Sequence, residues 1–163
     1  MFLKKLQTLE KTISSELSSK IQSSSIKHNE LLIEINEKDL IDVIQFLKSN
    51  ENCKFRQLID VAGVDYPEND RRFELVYLLL SHEHNTRIKI LIKLQQDQVI
   101  NSITKIFPSA NWMEREVFDM YGIKFKNHPD LRRILTDYGF KGHPLRKDFP
   151  LTGFNEVRYS EKD

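Results

Sequence analysis

The sequence has a single cysteine, Cys53, in 163 residues. One thiol cannot form an intrachain disulfide, and it cannot supply the four thiolates of a structural zinc site or of an iron-sulfur cluster. Electron transfer through a thiolate-bound metal centre built by this chain alone is therefore excluded.

Long apolar runs and an excess of one charge are missing as well. The longest apolar run, residues 75–80, has six residues, whereas a membrane-spanning helix needs about 20. The 25 basic and 24 acidic residues leave a net charge of +1, which gives no overall reason to expect nucleic acid or an anionic membrane as partner. We expect one domain with appendages and no membrane span.

The first 29 residues are predicted to form a helix and a linker. Apolar residues recur every three or four positions, at Leu3, Leu6, Leu9, Ile13 and Leu17. This spacing predicts an amphipathic helix, and the absence of arginine with the presence of two glutamates favours an ordinary helix over a transit peptide. The serine-rich residues 18–25 predict a connection to a domain that begins near residue 30.

Residues 30–122 show the mixed periodicity of an α+β domain. Strands are predicted near residues 31–35, 55–64, 72–81 and 87–94, and helices near residues 37–49, 98–107 and 111–122. The last two strands should pair as a hairpin, with one face towards the core and the other towards water. Asn111 followed by Glu114 has the form of a capping box. The predicted fold is a single compact domain with a mixed or mostly antiparallel sheet covered by helices.

Residues 123–163 are predicted to form a long irregular arm. Four of the five glycines and three of the five prolines lie from residue 122 onward, interleaved with aromatic and basic residues. A long irregular segment of this composition is typical of a chain that lies across a partner surface, where aromatics anchor and arginines pair with carboxylates.

The predicted helix before the arm carries a cluster of charges. Its members are Glu114, Arg115, Glu116 and Asp119. Arg115 and Asp119 are four residues apart and can pair on one helix face. The cluster is compatible with a solvated helix face or with acid–base chemistry, although nothing in the sequence forces one of the three carboxyl groups to a raised pKa.

Several segments from residue 114 to 150 occur in an order that is specific as a set. They are Glu-Arg-Glu, Asp-Met-Tyr-Gly-Ile, His-Pro, Leu-Arg-Arg-Ile-Leu, Asp-Tyr-Gly-Phe and Gly-His-Pro-Leu-Arg-Lys-Asp-Phe-Pro. Together they resemble the 30 kDa subunit family (the mitochondrial subunit 9 type) of respiratory NADH:ubiquinone oxidoreductase, complex I. A match of this length is far more specific than one short motif.

The resemblance implies a cofactor-free structural subunit in the hydrophilic, quinone-module arm of a proton-translocating enzyme of the respiratory chain. FMN and iron-sulfur clusters are then expected in partner subunits, with no catalytic, cofactor-binding or metal-binding residue in this chain. The expected partners are other hydrophilic-arm subunits, especially the 49 kDa-type subunit of the quinone pocket. The frequent Lys, Ile and Asn favour the matrix side of the mitochondrial inner membrane, and the cytoplasmic face of a bacterial inner membrane is the alternative.

The candidate partner contacts lie on the charged helix and the arm. The cationic candidates are Arg132, Arg133, Arg146 and Lys147, and the aromatic anchors are Phe125, Tyr138, Phe140 and Phe149. His128 joins them. For Glu114, Arg115, Glu116 and Asp119, pairing within the chain and contact with a partner both remain open.

Other classes of function have weaker support. A basic aromatic arm could bind RNA or DNA, but the near-zero net charge and the lack of a known module count against this. An independent oxidoreductase would need a nucleotide motif, and neither Gly-x-Gly-x-x-Gly nor a phosphate loop is present. The histidines at positions 82, 84, 128 and 143 are better explained by loops and turns than by a metal site. The equivalent subunit of a related membrane-bound hydrogenase or dehydrogenase remains an alternative.

Overall fold

The computed structural model of the chain describes residues 2–153. The elements are α1 (Phe2–Glu16), β1 (Ile21–Lys27), β2 (Glu30–Ile35), α2 (Leu40–Ser49), β3 (Gln57–Asp65), β4 (Phe73–Ser81), β5 (Thr86–Leu94), β6 (Val99–Asn101), α3 (Ala110–Tyr121) and β7 (Lys124–Lys126). A single 3₁₀ turn, Glu37–Asp39, precedes α2. The described part of the predicted arm after β7 consists of turns and irregular backbone, and residues 154–163 of that arm lie outside the described residues.

A five-stranded mixed sheet organises the domain in the order β1-β2-β5-β4-β3. All neighbours are antiparallel except β2 and β5, which run parallel. The short strands β6 and β7 form a separate parallel pair. The predicted α+β class with a mixed sheet is confirmed.

The predicted hairpin is the centre of this sheet. β4 and β5 pair without interruption from Phe73 opposite Leu94 to Ser81 opposite Thr86. Alternate side chains on both strands are fully buried, as the period of two requires when one face meets a core. The three helices pack their apolar residues against that buried face, which we call the core face. The opposite face is called the outer face.

The N-terminal helix is confirmed and belongs to the same core. Its apolar stripe is buried at Leu6, Leu9 and Ile13, and Leu17 just after the helix is buried too, while Leu3 stays exposed. Burial of such a stripe stabilises the domain by about 1.5–3 kcal/mol for each large side chain. Helix α1 is therefore an integral part of the domain.

The predicted connection at residues 18–25 is wrong. Most of it lies in β1, an edge strand paired antiparallel with β2. Ile21 and Ile26 pack against the core, and the serines between them are mostly exposed. An edge strand can be this polar because one side and one edge meet water. The predicted domain start at residue 30 thus falls within the β1–β2 hairpin.

The predicted helix at residues 98–107 is also wrong. Val99 to Asn101 form β6, in which Ile100 lies opposite Phe125 of β7, and a turn follows. Ile100 and Ile103 are buried while Val99 is exposed, so the buried positions do not follow the helical spacing of positions 99, 103 and 106 that predicted the helix. A short apolar run does not distinguish strand from helix by spacing alone.

Helix α3 ends as predicted but begins differently. Gly122 has φ 77° and its N–H donates to the Phe118 carbonyl oxygen, the left-handed C-terminal cap that glycine adopts without strain. The predicted capping box is wrong, because Ser109 is the N-cap residue and no side chain caps the first turn. The Glu114 side chain has another partner.

Candidate functional site

Asp119, on the C-terminal half of α3, is fully buried and holds the arm. Its Oδ2 accepts the N–H groups of Ile134, Leu135 and Thr136 at 3.0, 2.8 and 2.9 Å. Its Oδ1 accepts the Thr136 hydroxyl at 2.7 Å and the Arg133 guanidinium at 2.9 Å. Burial alone would raise the pKa of Asp119, but the hydrogen bonds from Thr136, Leu135 and Ile134 bring it well below its usual range. One carboxylate therefore fixes four consecutive arm residues.

Arg115 and Asp119, whose spacing allows a pair on one helix face, instead find partners in the arm. Arg115 donates through Nε and Nη2 to the carbonyl oxygens of Arg132 and Arg133, both at 3.0 Å. Arg133 also donates to the Gly142 carbonyl oxygen at 2.9 Å. Helix α3 thus binds residues 132–136 from two sides.

Glu114, on the N-terminal half of α3, is buried without such a set of donors. Its Oε1 accepts the Ile103 N–H at 2.8 Å, and its Oε2 has no hydrogen-bond partner among the described residues. Burial raises the pKa of Glu114 to about 7, although hydrogen bonds from Ser102 and Ile103 lower it in part. The sequence gives no sign of this shift, because it arises from burial.

Two further polar groups lie around Glu114. His128 Nε2 lies 3.9 Å from Glu114 Oε2. The Asp130 N–H donates to His128 Nδ1, so Nε2 carries the proton and donates to the Asn111 carbonyl oxygen at 3.0 Å. The buried hydroxyl of Tyr77 is unpartnered within the described residues, and burial and the Glu114 charge raise its pKa. Since Glu114 is inaccessible to solvent, this arrangement does not offer a substrate an acid or a base.

A second attachment, which we call the strap, is formed by residues 143–149. His143 Nδ1 donates to the Asp119 carbonyl oxygen at 2.9 Å, and the Leu145 N–H donates to the Met120 carbonyl oxygen at 3.1 Å. Arg146 Nε donates to the Tyr121 carbonyl oxygen at 2.6 Å. These bonds satisfy carbonyl groups at the end of α3 that have no partner inside the helix.

An ion network ties the strap to the sheet. Arg72 donates to both oxygens of Asp65 at 2.6 and 2.8 Å and to Asp148 at 2.8 Å, while Asp65 Oδ2 also accepts the Lys147 N–H at 2.7 Å. The hydrogen bond from Arg72 lowers the pKa of Asp65, against the effect of burial. The contact residues predicted from the sequence do not include Asp65, Arg72 or Asp148. The sequence did offer one signal for this ion network, an Asp and an Arg on either side of the turn between β3 and β4.

Gly122 is required where the strap crosses α3. A Cβ atom on Gly122 would lie 2.5 Å from Arg146 Nη2 and 2.5 Å from His143 Nε2. Its positive φ disfavours any other residue as well. The strap can therefore lie directly on the helix end.

The structure separates the candidate contact residues into side chains held inside the chain and exposed side chains, and the exposed Arg132 pairs with Asp130 at 2.9 Å. Phe125 is buried in the core, and Phe140 stacks on Phe149 with ring centroids 5.9 Å apart. The exposed candidates are Glu116, Arg132, Tyr138 and Lys147. Two exposed apolar side chains that the prediction missed, Trp112 at 70% and Leu135 at 62%, lie on the same helix and arm. Partner contact by these candidates stays a prediction.

The exposed part of the arm borders a groove of about 520 Å³. It is lined by Arg115, Arg132, Arg133, Ile134, Thr136, Asp137, Tyr138 and Gly139. Across residues 2–153, no group of three His, Cys, Asp or Glu side chains is placed to hold a metal ion. Within the same range, every helix is too short or too polar to cross a bilayer. The groove thus presents three arginines and one exposed tyrosine on a backbone that Asp119 holds at residues 134–136.

Comparison with known proteins gives a consistent result. Residues 33–155 match the family described as "Respiratory-chain NADH dehydrogenase, 30 Kd subunit". The chain is 50% identical over 157 residues to an NADH-quinone oxidoreductase subunit of Chelativorans sp. (strain BNC1), covering 96% of this chain and 78% of the relative. It is 52% identical over 143 residues to the protein of the same name from Ruegeria pomeroyi, with 88% and 72% covered.

A solved structure supports the fold. A chain in the membrane-bound sulfane sulfur reductase, an archaeal respiratory membrane complex, superposes with a TM-score of 0.77 at 23% identity, covering 90% of this chain and 86% of that one. The resemblance drawn from residues 114–150 is confirmed by the family match, which also extends well upstream of them. This chain belongs to the family of the 30 kDa subunit of respiratory-chain NADH dehydrogenase.

Proposed function

We propose that the chain is a structural subunit of a membrane-bound NADH–quinone oxidoreductase, with no cofactor of its own, and that it binds a neighbouring subunit through the arm. Support for the subunit role comes from the relatives, which are named as subunits of that enzyme. The neighbours are other subunits of the hydrophilic part, with the 49 kDa-type subunit as the specific expectation.

The observation that carries the arm's role is the set of five hydrogen bonds on Asp119. They fix the backbone of residues 134–136 and the side chains of Arg133 and Thr136, while Arg132, Leu135 and Tyr138 remain exposed. A surface fixed before binding loses little conformational entropy on association. Arginine and aromatic side chains are also the types that contribute most at protein interfaces.

The proposed location is peripheral, on the membrane face where the hydrophilic part of the enzyme lies. The relatives reported above are bacterial, which supports the cytoplasmic face of a bacterial inner membrane. Location on the matrix side of the mitochondrial inner membrane stays a prediction without support from these relatives. The equivalent subunit of a related membrane-bound complex remains the second candidate, for which the observation is the shared fold with the sulfane sulfur reductase chain.

The arm is tested with the double variant Arg132→Ala/Tyr138→Ala. Both side chains are exposed, so the isolated chain should unfold at an unchanged urea concentration. The fraction of tagged chain that migrates with the NADH–quinone oxidoreductase on native gels of gently solubilised membranes should fall severalfold. Arg133 is a poor probe, because its loss also removes a partner of Asp119.

The matched control is Arg56→Ala/Tyr66→Ala, which removes an exposed arginine and an exposed tyrosine elsewhere. Equal incorporation of both double variants would contradict the role of the arm.

The purified chain should show neither NADH oxidation nor visible absorbance, and a bound chromophore would overturn the cofactor-free role.

A further inference from the structure

A cavity of about 570 Å³ lies between helix α1 and the turns that follow α2 and β4. Cavities that bind small molecules have volumes of about 300–1,000 Å³. None of the lining residues belongs to α3 or to the arm, so this cavity, which we call the α1 pocket, is separate from the candidate site. Its lining includes five residues of α1 and the first residue of β5: Lys4, Lys5, Thr8, Leu9, Thr12 and Thr86.

The floor of the α1 pocket is buried and carries a hydroxyl group without a partner. Leu9 and Thr86 are 6% and 3% exposed, whereas the other α1 residues of the lining are exposed or half-buried. Thr86 Oγ1 has no hydrogen-bond partner within residues 2–153. Buried polar groups are normally hydrogen-bonded, because an unpartnered one destabilises the fold. A ligand that offers a polar atom to Thr86 would satisfy this hydroxyl.

The wall that α1 forms is apolar in its middle. The hydroxyl groups of Thr8 and Thr12 donate to the carbonyl oxygens of Lys4 and Thr8, at 3.0 and 3.1 Å. Because both hydroxyl groups are used within the helix, the two threonines offer the pocket mainly their methyl groups. With Leu9 they form a surface that favours an aliphatic ligand.

The rim of the pocket on the α1 side is cationic. Lys4 and Lys5 are exposed, and neither ammonium group forms an ion pair within residues 2–153. On the opposite side, Lys54 pairs with Glu51 at 2.7 Å and with Glu83 at 2.6 Å, so one of these two carboxylate charges is unbalanced. The two unpaired lysines exceed it, which favours an anionic group close to α1.

We propose that the α1 pocket binds a single-chain anionic amphiphile. Its carboxylate or phosphate head group lies between the two lysines and the Thr86 hydroxyl, and its aliphatic chain lies along Leu9 and the threonine methyl groups. Lysine side chains are long and flexible, so the ammonium groups of Lys4 and Lys5 can reach a head group at the floor. This inference goes beyond the proposed function and does not depend on it.

The test is a titration of the full chain with decyl phosphate and with decanoate, each below the concentration at which it forms micelles. Calorimetry measures the affinity, and methyl NMR spectra locate the ligand through the signals of Thr8, Leu9 and Thr12. We expect saturable binding with shifts centred on these signals. Decyl maltoside has no charge and inorganic phosphate has no chain, so each should bind at least about tenfold more weakly, because the pocket recognises both parts. The tighter of the two anionic probes identifies the head group.

The double variant Lys4→Gln/Lys5→Gln tests the cationic rim. It should weaken binding of the anionic probes about tenfold, roughly the contribution of one charge-assisted hydrogen bond. The matched control is Lys124→Gln/Lys126→Gln, which removes two exposed lysines of β7 and should leave the affinity unchanged. Thr86→Val tests the floor: it should weaken binding severalfold without destabilising the chain, because the hydroxyl removed has no partner.

Several results would overturn the inference. The absence of saturable binding of either anionic probe would do so, as would equal losses of affinity in the two lysine double variants. Decyl maltoside that binds as tightly as the anionic probes would show that the charge has no role, and inorganic phosphate that binds as tightly would show that the chain has none. Shifts at Val76 and Leu78, on the outer face, in place of those at Leu9 would put the binding site elsewhere.

Discussion

Each half of helix α3 buries one carboxyl group, and the pKa values of the two groups are shifted in opposite directions. Asp119 and Glu114 are both inaccessible to solvent. Asp119 accepts five hydrogen bonds, all from residues 133–136, and its pKa is well below its usual range. Glu114 accepts a backbone hydrogen bond from Ile103, leaves Oε2 unpartnered within the described residues, and has a pKa of about 7.

The difference shows what keeps a charge inside this domain. Burial penalises both carboxylates, and only donors delivered by a distant segment can offset that penalty. Near the end of α3 the arm delivers them, so Asp119 is an anionic anchor. Near its start the neighbours are His128 and the Tyr77 hydroxyl, and burial raises the pKa of Glu114 to about 7, so Glu114 can be protonated near neutral pH.

The largest effect is expected from Asp119→Ala. The change removes the acceptor of three backbone N–H groups and the carboxylate partner of Arg133, whose guanidinium keeps its bonds to Thr136 and Gly142, which we expect to cost about 3–5 kcal/mol. Urea unfolding measures the loss, and trypsin should cleave after Arg132 or Arg133 faster than in the unchanged chain. Asp119→Asn keeps the shape and one acceptor oxygen, so its loss should be smaller. A loss below about 1 kcal/mol for Asp119→Ala would refute the anchor role.

Glu114→Gln tests the other end of the helix through pH. The folded state keeps the Glu114 proton up to a pKa of about 7, while the unfolded chain releases it near 4.5. Protonated Glu114 therefore contributes fully to the free energy of unfolding below pH 4.5. This contribution, up to about 3 kcal/mol, is lost as the pH rises through 7. Urea unfolding at pH 5 and pH 8 should show that Glu114→Gln flattens this dependence. An unchanged slope in the variant would assign the effect to another group.

Asp119 has the opposite sign and serves as an internal contrast. Its folded pKa is lowered from 3.8, so its contribution is present above that pH and is lost as the pH falls through the lower folded value. Below pH 3.8 the free energy of unfolding should therefore fall by the same amount in Glu114→Gln as in the unchanged chain.

A smaller effect is expected from Thr136→Val. The change removes the hydroxyl that donates to Asp119 Oδ1 at 2.7 Å but keeps the backbone donor, at an expected cost of about 1–2 kcal/mol. Thr136→Ser retains the hydroxyl and is the control for thermal or urea unfolding. A loss in Thr136→Ser with none in Thr136→Val would show that the methyl group matters and the hydrogen bond does not.

The smallest effect is expected from Tyr77→Phe. The hydroxyl removed has no partner among the described residues, so the free energy of unfolding should change by less than about 0.5 kcal/mol in either direction. A loss above about 1 kcal/mol at pH 5, absent at pH 8, would instead reveal a hydrogen bond between Tyr77 and protonated Glu114.

Local patterns predicted the elements well and their long-range partners poorly. Alternation was sufficient for β4 and β5, and Gly122 marked the end of α3, because both signals depend on neighbours in sequence. The four-residue spacing of Arg115 and Asp119 predicted a helix pair, but residues 132–136 outcompete it.

Glu114 shows the same limit in the candidate site. Its spacing from Asn111 resembles a capping box, yet the Ile103 N–H, from the turn before the helix, binds the carboxylate instead. The family could be recognised from residues 114–150 because they carry many specific positions in a fixed order. The contact between Arg72 and Asp148 could not be predicted from these residues, since it joins two positions 76 residues apart in sequence.

The parallel pairing of β2 with β5 constrains the order in which the domain can fold. The β1–β2 and β4–β5 hairpins can each close early because their loops are short, but joining them requires a crossover through α2, β3 and β4. Closure over such a distance is slow. During synthesis the edge of β2 that pairs with β5, residues 31–34, therefore stays unpaired until residues 86–94 have left the ribosome.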